Sequence, residues 1–213
     1  MKHVGVRTNV ADVASQDQIQ AINTSIKNLN RAASCNIGGV ISGVYYDNSF
    51  GGLTAGTTSI PANTIAVVPF VSPVDMAVDR IGVPVTTLAT AGTADLHIYE
   101  NLSTGWPGAK LLSSSVLNTS TTGFKVATIS FTFEAGKVYW LGIRASVAVT
   151  VRGVQLANAK QFGIASADGS GSTYATALAQ TSSMSGEAPA NWGTVDFSQF
   201  NASSPPSIRF RAV

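Results

Sequence analysis

Charged side chains are scarce in this chain of 213 residues, of which only 11% are Asp, Glu, Lys or Arg. Soluble proteins average about 25%, so the composition is not that of a typical cytosolic enzyme. Hydrophobic residues make up 45% of the chain, which is enough to bury a core, and disorder requires low hydrophobicity with high net charge. We therefore expect a folded protein with a weakly charged surface.

Cysteine and histidine are also scarce. Cys35 is the single cysteine, which excludes an intramolecular disulfide and a cysteine-based zinc cluster, and His3 and His97 are the two histidines. The N-terminus lacks the apolar region of a signal peptide. The longest apolar stretch, 65–78, is too short to cross a bilayer. We expect a protein without a metal or other cofactor and without membrane insertion.

The net charge of +2 belongs to one part of the chain. Residues 1–35 contain four basic and two acidic side chains, so residues 36–213 carry no net charge. Nucleic-acid-binding domains normally present a basic patch or stripe. This distribution argues against a nucleic-acid partner and divides the chain into an N-terminal arm, 1–35, and a body, 36–213.

The arm contains the clearest helical pattern. Ser15 and Gln18 form a capping-box pair at the start of a helix predicted over 15–33. Its apolar stripe consists of Ile19, Ile22, Ile26 and Leu29. Isoleucine at both core positions of such a stripe favours trimers or tetramers over dimers. We expect a trimer, so these residues are candidates for trimerisation through a short parallel coiled coil. The alternative is an amphipathic helix that packs on its own domain, because two heptads are fewer than coiled coils usually have.

Beyond Cys35 the apolar period changes to two. In one of several such runs, Leu96 and Ile98 alternate with Asp95 and His97. Turn sequences rich in Gly, Asn and Pro separate the runs. We predict a mainly β protein, an antiparallel β-sandwich or jelly roll. Within it, 133–140 is expected to form a hairpin with its tip at 134–137.

Catalytic chemistry has little support. Asp95 and His97 lie two apart, so their side chains share one face of a strand, but Glu100 falls on the opposite face. We assign these three residues structural or exposed roles. A Gly-x-Ser-x-Gly elbow is absent. Paired carboxylates for glycoside cleavage would have to come from few acids, among them Asp168, Glu187 and Asp196. We expect no catalytic residues and no enzymatic activity.

The order of several segments resembles a known kind of module. These are YY at 45–46, PFV at 69–71, VDRIGV at 78–83, LHIY at 96–99, WPGAKLL at 106–112, FEAGKVYWL at 133–141 and PSIRFRA at 206–212. This order is similar to a β-sandwich (jelly-roll-like) module of tailed-bacteriophage virion proteins, particularly tail and head fibres. The resemblance covers roughly 40–213.

The resemblance implies a virion structural protein that is assembled in the host cytoplasm. It would form a homotrimeric fibre or spike, attached to other capsid or tail proteins through its N-terminal arm, with its β heads contacting host surface glycans. Two alternatives stay open. The same trimer could be a capsid cement or decoration protein that stabilises the head, or the chain could be a polysaccharide-degrading appendage enzyme.

Three aromatic residues in predicted loops are candidates for stacking on sugars. They are Trp106, Tyr174 and Trp192. An aromatic ring offers an apolar face to the C–H face of a pyranose while its polar tip stays in water. The alternative for each ring is that it covers the end of the sandwich core.

Overall fold

The structure is a computed structural model that describes residues 18, 20, 40–48, 56–154, 177–195, 200–201 and 204–213. The described chain is almost entirely antiparallel β-structure, as the alternating pattern predicted. Its thirteen strands are β1 Tyr45–Asp47, β2 Gly56–Ile60, β3 Thr64–Val71, β4 Met76–Thr87, β5 Thr93–Asn101, β6 Pro107–Ser113, β7 Leu117–Asn118, β8 Gly123–Phe133, β9 Val138–Ala145, β10 Val149–Gly153, β11 Ala177–Thr181, β12 Phe200–Asn201 and β13 Arg209–Ala212.

The strands form two sheets. In the first, of six strands, the order is β1-β13-β4-β10-β2, and β8 also pairs with β4. The second, of seven strands, has the order β12-β11-β3-β9-β5-β6, and β7 also pairs with β5. The long strand β4 pairs with β8 along 76–85, while β13 and β10 pair with different parts of it. Residues distant in the chain are therefore neighbours in both sheets.

The two sheets face each other across one hydrophobic core, the arrangement of a β-sandwich. Phe70 from the second sheet lies 5.1 Å, between ring centroids, from both Phe133 and Phe210 of the first. Phe133 and Phe210 are separated by the same 5.1 Å. All three rings are fully buried. Because each aromatic ring buries a large apolar area, this trio contributes strongly to holding the sheets together.

The centre of the second sheet is buried on both faces. Its central strand β9 is buried at seven consecutive positions, from Tyr139 to Ala145, the pattern of a strand covered above and below. Residues 182–195, called here the covering segment, lie against its outer face. Lys110 N donates to the carbonyl of Ala190 at 2.7 Å, and Trp192 N donates to the carbonyl of Gly108 at 3.0 Å. The sequence predicted no cover for this face.

The predicted hairpin at 133–140 is wrong. Strand β8 ends at Phe133 in the first sheet, and β9 begins at Val138 in the second. The intervening turn has Gly136 at φ 75°, a conformation that glycine adopts without strain. This turn carries the chain from one sheet to the other. The prediction failed because the alternation of apolar residues within a strand does not specify which strand it pairs with.

The arm falls largely outside the described residues. Gln18 and Gln20 are described, both in helical conformation, and these two positions do not establish the predicted helix. The proposed trimerisation residues Ile19, Ile22, Ile26 and Leu29 lie outside the described part, so their role stays a prediction. Within the described residues, no helix is long and apolar enough to cross a membrane.

Candidate functional site

A buried ionic network lies beneath the covering segment. Asp95 and His97 share one face of β5, as their spacing predicted, and Asp95 is directly opposite Arg144 of β9. His97 Nε2 lies 2.9 Å from Asp95 Oδ1, while Arg144 Nε donates to the same oxygen at 3.1 Å. Arg144 Nη2 donates to Asp95 Oδ2 at 2.6 Å. The guanidinium and the carboxylate therefore form a bidentate pair, the strongest geometry available to them.

Arg144 also attaches the covering segment to the sheet. Its Nη1 donates to the carbonyl oxygens of Ser183 and Gly186, each at 2.9 Å. A planar guanidinium presents five N–H donors in a rigid fork, so one side chain can bond Asp95 on one side and the segment on the other. The position of the segment is thereby linked to the buried pair.

The network keeps Asp95 ionised. Burial acts to raise the pKa of this carboxyl, but the hydrogen bonds from His97 and Arg144 outweigh it and lower the pKa from 3.8 to about 2. Burial also raises the pKa of the Tyr99 hydroxyl, which donates to the carbonyl of Pro189 at 3.1 Å. His97 is completely buried, so its ring cannot contact a molecule arriving from solvent. Arg144 and Tyr99 contact the covering segment directly, whereas His97 bonds Asp95 and Ser113 of the sheet.

An open cleft of about 540 Å³ lies beside the network. Asp95 and Arg144, both almost fully buried, form its floor. Strand β6 contributes Lys110 and Ser113 to one side, and the covering segment contributes Ser185 and Glu187, among others, to the opposite side. One side of the cleft is thus formed by the segment that Arg144 helps to hold against the sheet.

Two oppositely charged side chains line the accessible part of the cleft. Lys110 is half-buried, and its Nζ donates to the carbonyl of Ala188 at 2.8 Å, which leaves two further N–H groups of the ammonium. Glu187 is exposed. Within the described residues, neither side chain belongs to a salt bridge. Apolar contact area comes from Met184 and from Val116, whose exposure is 61%.

Of the aromatic residues that the sequence singled out, the two that the structure describes, Trp106 and Trp192, do not line this cleft. Trp192 is only 3% exposed and meets Tyr99 edge-on with ring centroids 5.8 Å apart. It completes a small outer hydrophobic cluster on the second sheet, so its ring is not accessible to a sugar. A stacking role for Trp192 is therefore not retained; the alternative of a ring that covers packed residues describes its position.

Trp106 and Tyr174 have different outcomes. Trp106 is half-buried and packs beside Trp140, with 6.5 Å between ring centroids. Part of it stays accessible, so its proposed role in stacking stays a prediction. Tyr174 lies outside the described residues, as do Asp168 and Asp196 among the acids considered for glycoside cleavage.

Glu100 was predicted to lie on the face of β5 opposite to Asp95 and His97. Glu100 does not join Asp95 and His97; its Oε1 accepts a hydrogen bond from Ala109 N at 3.0 Å. In the described part of the chain, no group of three or more His, Cys, Asp or Glu residues could hold a metal ion.

Sequence reasoning missed Arg144 and Lys110. Arg144 is a cation inside the apolar strand β9, and charged residues are almost never fully buried unless they are paired. That signal pointed to a buried acidic partner. No comparable signal marked Lys110, because its neighbours come from the covering segment, distant in the chain.

The sequence matches no protein-family model, and no curated protein shows significant similarity to it. The function is therefore inferred from the residues, the fold and the cleft.

Proposed function

We propose that the protein is a structural protein of a tailed-bacteriophage virion, a homotrimeric fibre or spike that displays a jelly-roll-like β domain for adhesion to host-surface glycans. The resemblance of segments within 40–213 to virion β-sandwich modules supports this function. The two-sheet antiparallel fold is compatible with it. So is the absence of net charge from the body, since nonspecific attraction to charged polymers is then weak.

The observation that carries the assembly part of the proposal is an apolar patch at one end of the first sheet. We call it the basal patch, and it consists of Ile41, Val44, Tyr45 and Val213, with exposures of 66%, 40%, 37% and 68%. Gly43 N donates to the carbonyl of Ala212, and Ala212 N donates to that of Val44, so the two chain segments lie together.

The basal patch is close to the arm in the sequence, because Ile41 follows residue 35, the end of the arm, by six positions. Contiguous exposed apolar residues commonly mark interfaces between proteins. In the proposed trimer, the patch packs against the other two copies, and the stripe of Ile19, Ile22, Ile26 and Leu29 continues this contact into the arm. The surfaces of the β domain away from the basal patch then stay accessible for adhesion.

Trimeric display makes weak glycan contacts useful. When three heads are linked, each binding event after the first is intramolecular and occurs at a high effective concentration. A site with a millimolar dissociation constant can thus support stable attachment to a surface that repeats the same sugar. Adhesion needs no bond cleavage, and Asp95 and the buried His97 beside it are held in a structural network.

The mass of the full-length protein in solution tests the assembly. Light scattering at micromolar concentration should report a trimer, and removal of residues 1–33 should weaken it. A monomer of the full-length chain would contradict the proposed assembly. As a control, Val116→Ser removes a similarly exposed apolar side chain that lies outside the basal patch, and it should leave the trimer intact.

Labelling of the protein on intact virions tests its location, and adsorption to host cells tests its role. Particles that lack the protein should adsorb less. Normal adsorption combined with lower particle stability would replace adhesion with the capsid-cement alternative. Shortening of host polysaccharide by the purified protein would favour the enzyme alternative instead.

A further inference from the structure

We propose that the cleft between β6 and the covering segment binds a neutral, hydroxyl-rich saccharide unit, with Lys110 and Glu187 as its principal hydrogen-bonding side chains. This inference rests on the proposed adhesive function, and it names the site and the class of ligand. The proposed ligand contacts are polar side chains in place of the aromatic rings considered from the sequence. The sequence pattern did not indicate that these polar residues lie together.

The first argument is size and shape. A cleft of about 540 Å³ falls within the range of roughly 300–1,000 Å³ that is usual for small-molecule sites. It can accommodate one or two sugar rings. Because it is open to solvent, a unit within a longer polysaccharide could enter without a free chain end.

The second argument is rigidity. Arg144 binds Asp95 below the cleft and the carbonyl oxygens of Ser183 and Gly186 in its wall. Lys110 is joined to the same wall through the carbonyl of Ala188. Both sides of the cleft are therefore fixed before a ligand arrives. A prearranged site loses less conformational entropy on binding, which matters most for weak ligands.

The third argument is the hydrogen-bonding chemistry of the walls. A sugar hydroxyl both donates and accepts, whereas an ammonium only donates and an ionised carboxylate only accepts. Lys110 and Glu187 together satisfy both needs of a hydroxyl array. The hydroxyl groups of Ser113 and Ser185 also line the cleft; they already bond His97 Nδ1 at 3.1 Å and Ser183 Oγ at 2.8 Å, and each oxygen keeps lone-pair capacity to accept from a sugar. Val116 and Met184 offer apolar area to the C–H groups of the ring.

The fourth argument is charge. At neutral pH the floor contributes an ionised carboxylate paired with a guanidinium, so Asp95 and Arg144 cancel. Lys110 and Glu187 cancel in the same way. The lining therefore has no net charge and favours a neutral sugar over a polyanion. An acidic sugar would have to approach the Glu187 carboxylate, at an electrostatic cost.

Titration of the full-length protein with methyl glycosides of glucose, galactose, mannose, N-acetylglucosamine and rhamnose tests this site. Ligand-observed NMR suits the weak binding expected. At least one neutral glycoside should bind, with an affinity that changes less than twofold between ~50 mM and ~500 mM NaCl, because screening acts on charge–charge attraction. Binding restricted to glucuronate or another acidic sugar and lost at high salt would overturn the proposal.

Two substitutions locate the binding. Glu187→Ala removes an exposed carboxylate, and Lys110→Met removes the ammonium but keeps the apolar stem. Each should weaken binding at least tenfold, as expected for hydrogen bonds to charged groups. The matched controls are Glu134→Ala and Lys125→Met, two exposed or half-exposed positions outside the cleft. They should change affinity less than twofold.

Loss of the Lys110 bond to Ala188 could displace the covering segment, so Glu187→Ala gives the cleaner result. Unchanged affinity in Glu187→Ala, or complete absence of glycoside binding, would overturn the cleft. The two proposals fail separately. If host cells are still bound by cleft variants as tightly as by the unsubstituted protein, only the cleft is rejected. If the protein is not found on virions, the proposed function is rejected whatever the glycoside titration shows.

Discussion

In the part of the chain that the structure describes, two aspartate–arginine pairs join neighbouring strands, one in each sheet. Asp95 and Arg144 are buried beneath the covering segment, with side-chain exposures of 8% and 4%. Asp79 and Arg211 lie on the outer face of the first sheet, with exposures of 32% and 31%. Both pairs are bidentate, so their chemistry is the same and their surroundings differ.

The difference shows what burial adds to an ion pair. The exposed pair contacts water and dissolved ions, so its attraction is screened and its net contribution is small. The buried pair has lost its hydration and depends on its protein partners. Arg144 then acquires a further role that Arg211 lacks, because its remaining donors hold the covering segment. The same two residue types thus anchor the covering segment in one sheet and form only a surface contact in the other.

The largest expected effect comes from removal of Arg144. Arg144→Met keeps much of the apolar volume but leaves the Asp95 carboxylate buried with His97 and without its guanidinium. We expect the free energy of unfolding to fall by about 3–5 kcal/mol, measured by urea denaturation. Arg211→Met is the matched control. A loss in Arg144→Met no greater than in Arg211→Met would contradict the distinction between the two pairs.

Acid should weaken the buried pair within a defined pH range. The folded-state pKa of Asp95, about 2, is below its ordinary value of 3.8, so its contribution is complete above about pH 4 and is lost as pH falls toward 2. The difference corresponds to about 2 kcal/mol of unfolding free energy. Urea denaturation between those pH values measures it. Asp95→Asn should flatten the profile there, and an unchanged profile would contradict this role.

Replacement of both buried charges should be milder than removal of one. In the double variant Asp95→Leu/Arg144→Met, no uncompensated carboxylate stays buried. We expect it to recover about 1–2 kcal/mol relative to Arg144→Met alone, again measured in urea. If the double variant were less stable than Arg144→Met, the cost would lie in lost packing and not in an unpaired charge.

The smallest effect should follow from Arg211→Met in the exposed pair. Hydrogen bonding to Arg211 lowers the pKa of Asp79, but solvent screens the pair. We expect a slight fall in thermal midpoint at low salt and none at ~1 M NaCl, where the Debye length is only ~3 Å. A fall that persists undiminished at high salt would show that this pair behaves like the buried one.

The sequence was sufficient to predict the class of fold and to predict that Asp95 and His97 share one face of β5. Alternation of apolar residues is a local property, so it correctly predicted antiparallel strands and the shared face of Asp95 and His97. It could not identify strand neighbours. The interval from Phe133 to Val138 has the length and turn residues of a hairpin, yet it joins the two sheets, because pairing depends on the whole topology.

The covered outer face was beyond local reasoning for a related reason. Polar residues that alternate with apolar ones usually face water, and here Asp95 and His97 face the covering segment. Trp192 was assigned to a loop, where an aromatic ring is often exposed; contact with Tyr99 buries it. Only Arg144, a cation within an apolar strand, carried a signal of buried pairing that the sequence could have provided.

Hydrogen exchange at the backbone amides of Lys110 and Trp192 tests most directly whether the buried pair holds the covering segment. These amides bond to Ala190 and Gly108 across the junction between β6 and the segment. Under conditions where all variants stay folded, we expect strong protection in the unsubstituted protein and in Arg211→Met, and marked loss of protection in Arg144→Met. Equal protection in all three proteins would contradict the claim that Arg144 positions the segment.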